Sequence, residues 1–83
     1  MIVTKRNKEE DAAMTDTIAF QSAIKRRGLT LKGLSEETGI PTQSLDSKSH
    51  NVTDFLIDEI EIICMVLQIR TTAERLQIFF ALD

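Results

Sequence analysis

The side chains that could carry chemistry are concentrated in residues 29–48, LTLKGLSEETGIPTQSLDSK, and they are recognition groups rather than catalytic ones. His50 is the only histidine, and no serine, cysteine or carboxylate is aligned with it as a catalytic set requires. Cys64 is the only cysteine, so an internal disulfide is impossible, and one cysteine with one histidine does not build a zinc site. We therefore expect no enzyme, no metal and no cofactor, and hydrogen-bonding recognition is the chemistry that remains.

Length and composition favour one small globular domain. The chain has 83 residues, and 42% hydrophobic residues are too many for a disordered chain. No apolar run approaches the ~18 residues of a membrane span, and the amino terminus, MIVTKRNKEEDAA, lacks the apolar core of a signal peptide. We expect a cytoplasmic protein without membrane attachment, with a flexible tail over residues 1–14 and a domain over residues 15–83.

The net charge of −3 is distributed unevenly. Residues 22–53 carry five basic and three acidic side chains, whereas residues 54–83 carry two basic and six acidic side chains. The positive excess thus coincides with the recognition segment, which is where a polyanionic partner would bind.

The elements that position this segment are predicted to be helices. A first helix follows the caps Thr15 or Asp16 and ends at the glycine of KRRG, where a left-handed residue is favoured. A second helix is capped by Thr30 and stopped by Gly39. Proline suits the first turn of a helix, so a third helix is expected from residue 41, with Leu45 as its core anchor.

Two further helices complete an all-α fold, since no window alternates as a strand does. The fourth, over residues 57–67, carries two apolar stripes, which indicates that it is covered on two sides. The first stripe consists of Ile60, Ile63, Cys64 and Leu67, and the second of Ile62, Met65, Val66 and Ile69. The fifth helix begins at the capping box of Thr71 and Glu74.

The second and third helices, with a glycine at the turn, have the pattern of a helix-turn-helix. The segments GIPTQSLDSK, NVTDF, EIEIICMVL and IFF follow one another in the order typical of one family. The chain resembles the lambda-repressor-like (Xre/Cro/CI) helix-turn-helix family over roughly residues 17–69, and the small phage and prophage regulators of Gram-positive bacteria in particular. The family commonly has glutamine at the position of Leu31 and isoleucine at the position of Ser49, and here the sequence departs from it.

The resemblance implies a compact five-helix domain whose third helix enters the major groove of double-stranded operator DNA. The implied base contacts are Thr42, Gln43, Asp46 and Ser47. The implied phosphate contacts are Thr30, Lys32, Ser44, Lys48, His50 and Asn51. Gln43 is the best single reader, because its amide can pair with adenine N6 and N7 together.

Operators are usually read by two-fold dimers, and the apolar surplus of the last two helices offers a surface for a homodimer. The candidate dimer residues are Met65, Val66, Ile69, Phe79, Phe80 and Leu82. The alternative is that the fourth and fifth helices bury these side chains against each other within one monomer.

Two classes of function remain open at this point. The first is a sequence-specific transcriptional regulator, a repressor of the phage type. The second is a protein-binding modulator of a repressor, or an antitoxin-like partner, built on the same scaffold. Leu31, Asp46 and the acidic carboxy-terminal segment favour the second class. Affinity for DNA should fall steeply with salt, whereas binding through apolar stripes should be much less sensitive.

Overall fold

A computed structural model of the chain describes residues 14–81. Within these residues the fold is all-α, as predicted, and comprises five helices. They are α1 (Thr17–Arg26), α2 (Leu31–Thr38), α3 (Thr42–Ser49), α4 (Ile57–Leu67) and α5 (Thr72–Phe79). Residues 1–13, which make up nearly all of the expected tail, and Leu82 lie outside the described residues.

The helices begin where the sequence places capping side chains. Asp16 accepts a hydrogen bond from the Ala19 amide at 3.0 Å and starts α1. Thr30 accepts from the Gly33 amide at 3.0 Å, and Thr71 accepts from the Glu74 amide at 3.2 Å. Each such cap stabilises its helix by about 1 kcal/mol. The predicted starts of α1, α2 and α5 are confirmed.

The turn between α2 and α3 depends on a left-handed residue. Gly39 has a φ of 80°, which a glycine adopts without a steric cost, and its amide donates to the Ser35 carbonyl. The Ser35 hydroxyl donates to the Ile40 carbonyl at 2.5 Å and fastens the turn. Pro41 then precedes α3 as its N-cap residue, so α3 begins one residue later than predicted.

All five helices contribute to one core. Its centre is a cluster of three rings, buried Phe20 of α1, half-buried Phe55 of the α3–α4 connector and buried Phe79 of α5, whose centroids lie 5.4–5.9 Å apart. The other buried apolar side chains are Ala23, Ile24, Leu34, Ile40, Leu45, Ile60, Ile63, Cys64, Leu67, Ile69 and Ile78. The first predicted stripe of α4 is therefore confirmed as its core face, and Cys64 is a buried side chain.

The two ends of the described chain meet. The Met14 and Ala81 backbones are hydrogen-bonded in both directions, and the Asp16 amide donates to the Ile78 carbonyl at 2.7 Å. Met14, which we assigned to the flexible tail, therefore belongs to the folded domain. These bonds place the start of α1 beside the end of α5.

Candidate nucleic-acid interface

The third helix presents a polar face to the outside. Leu45 and Ser49 lie on the buried face of α3, whereas Thr42, Gln43 and Asp46 are exposed. Positions three or four residues apart share one side of a helix, so Gln43, Asp46 and His50 lie along a single outward stripe. Among the expected base contacts, only Ser47 is half-buried; among the expected phosphate contacts, Ser44 and Lys48 are half-buried.

Hydrogen bonds hold the carboxy-terminal end of α3 to α1. The Thr17 hydroxyl donates to the Ser49 carbonyl at 2.6 Å, and the Ser49 hydroxyl donates to the Asp46 carbonyl at 2.9 Å. Ser49 is only 2% exposed. A buried polar side chain thus anchors this end of the helix.

Asn51 connects the segment after α3 to the start of the domain. Its side-chain oxygen accepts from the Thr15 amide at 2.9 Å, and its side-chain nitrogen donates to the Thr15 carbonyl at 3.0 Å. Asn51 has a φ of 65°, and asparagine tolerates this left-handed conformation better than most residues. The amide oxygen and one N–H of the amide nitrogen are therefore engaged with Thr15, and the second N–H of that nitrogen is left for the expected phosphate contact.

Lys48 is bound to the fourth helix. Its ammonium lies 2.6 Å and 2.7 Å from the two carboxylate oxygens of Glu59, and both side chains are less than a fifth exposed. This arrangement does not match the expected role of Lys48 as a phosphate contact, because the ammonium is turned toward α4.

Other cations of the basic segment are also engaged. Arg26 forms an ion pair with Glu74 of α5. Arg27 donates from Nε to the Val66 carbonyl at 3.1 Å, in the last turn of α4, where the helix end is negative. Lys25 and Lys32 are exposed and have no ion pair with any residue in 14–81. The positive excess of the middle segment is thus partly neutralised by the acidic segment that follows it.

The remaining expected phosphate contacts are accessible. Thr30 and Lys32 are exposed at the amino-terminal end of α2, where backbone N–H groups and the helix dipole favour an anion. His50 is exposed, and its Nδ1 lies 2.9 Å from the Asp46 carbonyl and 3.5 Å from an Asp46 carboxylate oxygen. Acidic residues share the surface of α2, since Glu36 and Glu37 are exposed beside Lys32.

The expected dimer surface is only partly at the surface of the monomer. Met65 is 77% exposed, and Val66 and Phe80 are half-buried. Ile69 and Phe79 are buried at 8% and 3% exposure, because they pack in the core of a single chain. Their assignment to an exposed interface is corrected: both are buried within one chain, and Phe79 packs against Phe20 of α1 and Phe55 of the connector. Sequence reasoning also missed exposed apolar side chains, namely Ile18, Val52, Leu56, Ile57 and Leu76.

An open groove of about 430 Å³ runs along α1 toward α3. Its walls are mainly apolar, with Ile18 and Ile24 from α1 and Leu31 from α2, and Asp46 lies on its rim. Ser49 of α3 also lines the groove.

No group of three or more potential metal ligands occurs within residues 14–81. No helix in the described part of the chain has the length and apolar character needed to cross a membrane.

Comparisons of the chain with protein-family models, with curated proteins and with solved structures find no match.

The Glu59 carboxylate makes the stability of the domain depend on pH. Burial raises the pKa of Glu59, but hydrogen bonds from Lys48 and from the Leu56 amide, with the charge of Lys48, outweigh it and hold the pKa below the ordinary 4.5. The folded state therefore favours the ionised carboxylate more than the unfolded state does. This contribution is present above about pH 4.5 and is lost as the pH falls through the lower folded pKa.

We expect Glu59→Gln to lower the free energy of unfolding by about 1–2 kcal/mol at pH 7, because a charged hydrogen-bond partner is removed from Lys48. The difference from wild type should shrink as the pH is lowered to 3.5. Urea unfolding at pH 7, 5 and 3.5 measures this difference in the free energy of unfolding. Glu61→Gln is the matched control, since Glu61 is an exposed α4 glutamate without a side-chain partner in residues 14–81. A difference that stays constant over this pH range contradicts the role of Glu59.

Proposed function

We propose that the chain is a sequence-specific DNA-binding transcriptional regulator that inserts α3 into the major groove. The observation that carries the proposal is the pose of α3. It is oriented by the left-handed turn at Gly39 and by buried Leu45, and it directs Thr42, Gln43 and Asp46 outward. A short polar helix fixed across a neighbouring helix is the element that reads base edges in helix-turn-helix proteins.

In this proposal the exposed side chains divide into two roles. Gln43 pairs with the N6 and N7 of an adenine, and Asp46 accepts from the amino group of a cytosine. Thr30 and Lys32 bind backbone phosphate at the amino-terminal end of α2, with His50 adding a contact at the far end of α3. These phosphate contacts position the domain, and the α3 side chains select the sequence.

A single domain of this size makes few base contacts, so the proposed regulator acts as a homodimer on two half-sites about one helical turn apart. Among the interface candidates that lie in residues 14–81, Met65 is the most exposed, and Val66 and Phe80 are half-buried. The dimer surface is therefore proposed for the outer side of α4 and the end of α5.

A second candidate function is a protein-binding module on the same scaffold. Two observations favour it. Arg26 and Lys48 are held by carboxylates, which lowers the charge left for phosphates, and Glu36, Glu37 and Asp46 place negative charge on the α2–α3 surface. The open apolar groove beside Asp46 would receive an apolar segment of a partner.

The two candidates are separated by selecting the purified protein against a random-sequence DNA library and titrating the selected site at 50 mM and 200 mM salt. Enrichment of one sequence, with affinity that falls with salt, supports the regulator because phosphate binding releases counterions. A folded protein that enriches no sequence and binds no DNA at 50 mM salt contradicts it, and the module that binds a protein becomes the better explanation.

We expect Gln43→Ala to weaken binding to the selected site by about 1–3 kcal/mol and to relax preference at one base pair, because a bidentate contact is lost. Binding to random DNA should stay unchanged. Gln77→Ala is the matched control, since Gln77 is an exposed helical glutamine on α5. Equal affinities of Gln43→Ala and wild type for the selected site would exclude Gln43 as a reader.

A further inference from the structure

The contact between α3 and α4 is organised around one carboxylate. Glu59 Oε1 accepts from the Leu56 amide at 2.9 Å and from the Lys48 ammonium at 2.6 Å, and Oε2 lies 2.7 Å from the same ammonium. The Leu56 amide is one of the N–H groups at the start of α4 that have no backbone partner within the helix. Glu59 therefore caps its own helix and holds the neighbouring helix with the same side chain.

The orientation of the third helix depends on its contacts with the neighbouring helices. It has eight residues, and an isolated helix of this length is not stable in water. Only Leu45 and Ser49 of α3 are buried, so few apolar contacts fix its rotation. Lys48 supplies a charged contact to α4 on the side of the helix away from the exposed stripe of Gln43 and Asp46.

The Lys48–Glu59 pair should also stabilise the contact between α3 and α4 more than an ordinary surface ion pair would. Exposed pairs contribute little, because water screens them and the side chains lose conformational freedom. Here the Lys48 side chain is 15% exposed and the Glu59 side chain 18%. Glu59 is already ordered by its bond to the Leu56 amide, so ordering it costs no additional side-chain freedom when Lys48 binds.

We propose that Lys48 is a positioning residue of the DNA-reading helix: through Glu59 it fixes the orientation of α3 against α4, and its ammonium binds no phosphate. This inference rests on the proposed function for its effect on DNA, although the fixing of α3 can be measured without DNA. It assigns specificity to a lysine and a glutamate that both face inward.

The two roles of Lys48 predict opposite effects of removing its partner. If Lys48 positions α3, Glu59→Gln loosens the helix and weakens specific binding, even though a negative charge near DNA has been removed. If Lys48 binds phosphate, Glu59→Gln frees the ammonium and strengthens binding to every sequence. A phosphate contact also contributes about one unit to the salt slope, whereas a positioning residue contributes none.

The experiment compares Lys48→Met, Lys48→Arg and Glu59→Gln with wild type on selected and random DNA over a range of salt. We expect Lys48→Met and Glu59→Gln each to weaken the selected site about tenfold, a coupling typical of neighbours in one ion-pair network. Affinity for random DNA and the salt slope should not change. Lys48→Arg should retain specific binding because the guanidinium can still pair with Glu59. Lys32→Met is the matched control for a phosphate contact, and it should lower the salt slope and the affinity for both DNAs.

Tighter binding by Glu59→Gln, or a salt slope reduced by about one unit in Lys48→Met, would overturn the proposal. Amide hydrogen exchange over residues 42–50 of the DNA-free protein gives an independent readout. Faster exchange in Lys48→Met and Glu59→Gln, restored in Lys48→Arg, is expected. Unchanged exchange in these variants overturns the positioning role even if the protein binds DNA. If the variants exchange as expected but the wild-type protein binds no DNA, only the proposed function is refuted.

Discussion

Phe20→Ala is expected to lower the free energy of unfolding by about 3–5 kcal/mol, the range for truncating a buried phenylalanine. Phe20 is fully buried, and its ring contacts both Phe55 and Phe79, so three elements lose contact at once. A domain of this size has a total stability of about 5–10 kcal/mol. The variant should therefore retain little stability at 37 °C, and urea unfolding followed by far-UV circular dichroism measures the loss.

Ile18→Ala on the same helix provides the control for Phe20→Ala. Ile18 is 75% exposed, so its truncation should change the free energy of unfolding by less than about 0.5 kcal/mol. A Phe20→Ala variant with a loss as small as that of Ile18→Ala would mean that the three rings do not form the centre of the core.

Asn51→Gly is expected to cost about 2–3 kcal/mol, and Asn51→Ala about 1 kcal/mol more. Both substitutions remove the amide that pairs with the Thr15 backbone, and Thr15 is only 7% exposed, so its N–H and carbonyl lose their partners. Glycine tolerates the φ of 65°, whereas alanine is strained there. The difference between the two variants therefore measures the backbone strain, and Asn51→Gly measures the hydrogen bonds.

Gln68→Gly is the matched control for Asn51, because Gln68 is also left-handed with a φ of 57° and its side chain is exposed. Its free energy of unfolding should stay within about 1 kcal/mol of wild type. Thermal unfolding of Asn51→Gly, Asn51→Ala and Gln68→Gly measures these differences in stability. If Asn51→Gly is as stable as wild type, the Asn51 amide does not hold Thr15.

The helices could be predicted from the sequence because their ends are determined locally. The caps at Asp16, Thr30 and Thr71 bond to amides three residues later, and Gly39 ends α2 through its own backbone conformation. Each signal lies within a few residues of the position that it determines. Periodicity likewise identified the core face of α4, since four buried side chains recur at helical spacing.

The engaged side chains of the candidate site could not be predicted, because their partners are distant in sequence. Lys48 and Glu59 are 11 residues apart, and Thr15 and Asn51 are 36 apart. A lysine in the last turn of α3 has the same residue type whether it contacts a phosphate or a carboxylate. Only the tertiary structure, which brings Lys48 of α3 beside Glu59 of α4, decides between these contacts.

For the fifth helix, the sequence likewise could not predict which apolar side chains are buried. A short helix with apolar residues on several faces does not reveal which face packs inward. The bonds of Met14 and Asp16 to the end of α5 select a rotation that buries Ile78 and Phe79 and leaves Leu76 half exposed. The partition of the α5 side chains between buried and exposed positions thus depends on backbone contacts with Met14 and Asp16.

Those same backbone bonds between Met14–Asp16 and Ile78–Ala81 constrain how the domain folds. They close a loop that contains almost the whole described chain, and the entropy of loop closure must be offset before α1 and α5 gain from each other. Neither helix can complete its packing while the other is unformed. A ribosome that has released α1 through α4 would therefore hold an incomplete core, and the domain should reach its native state in a single cooperative step after α5 emerges.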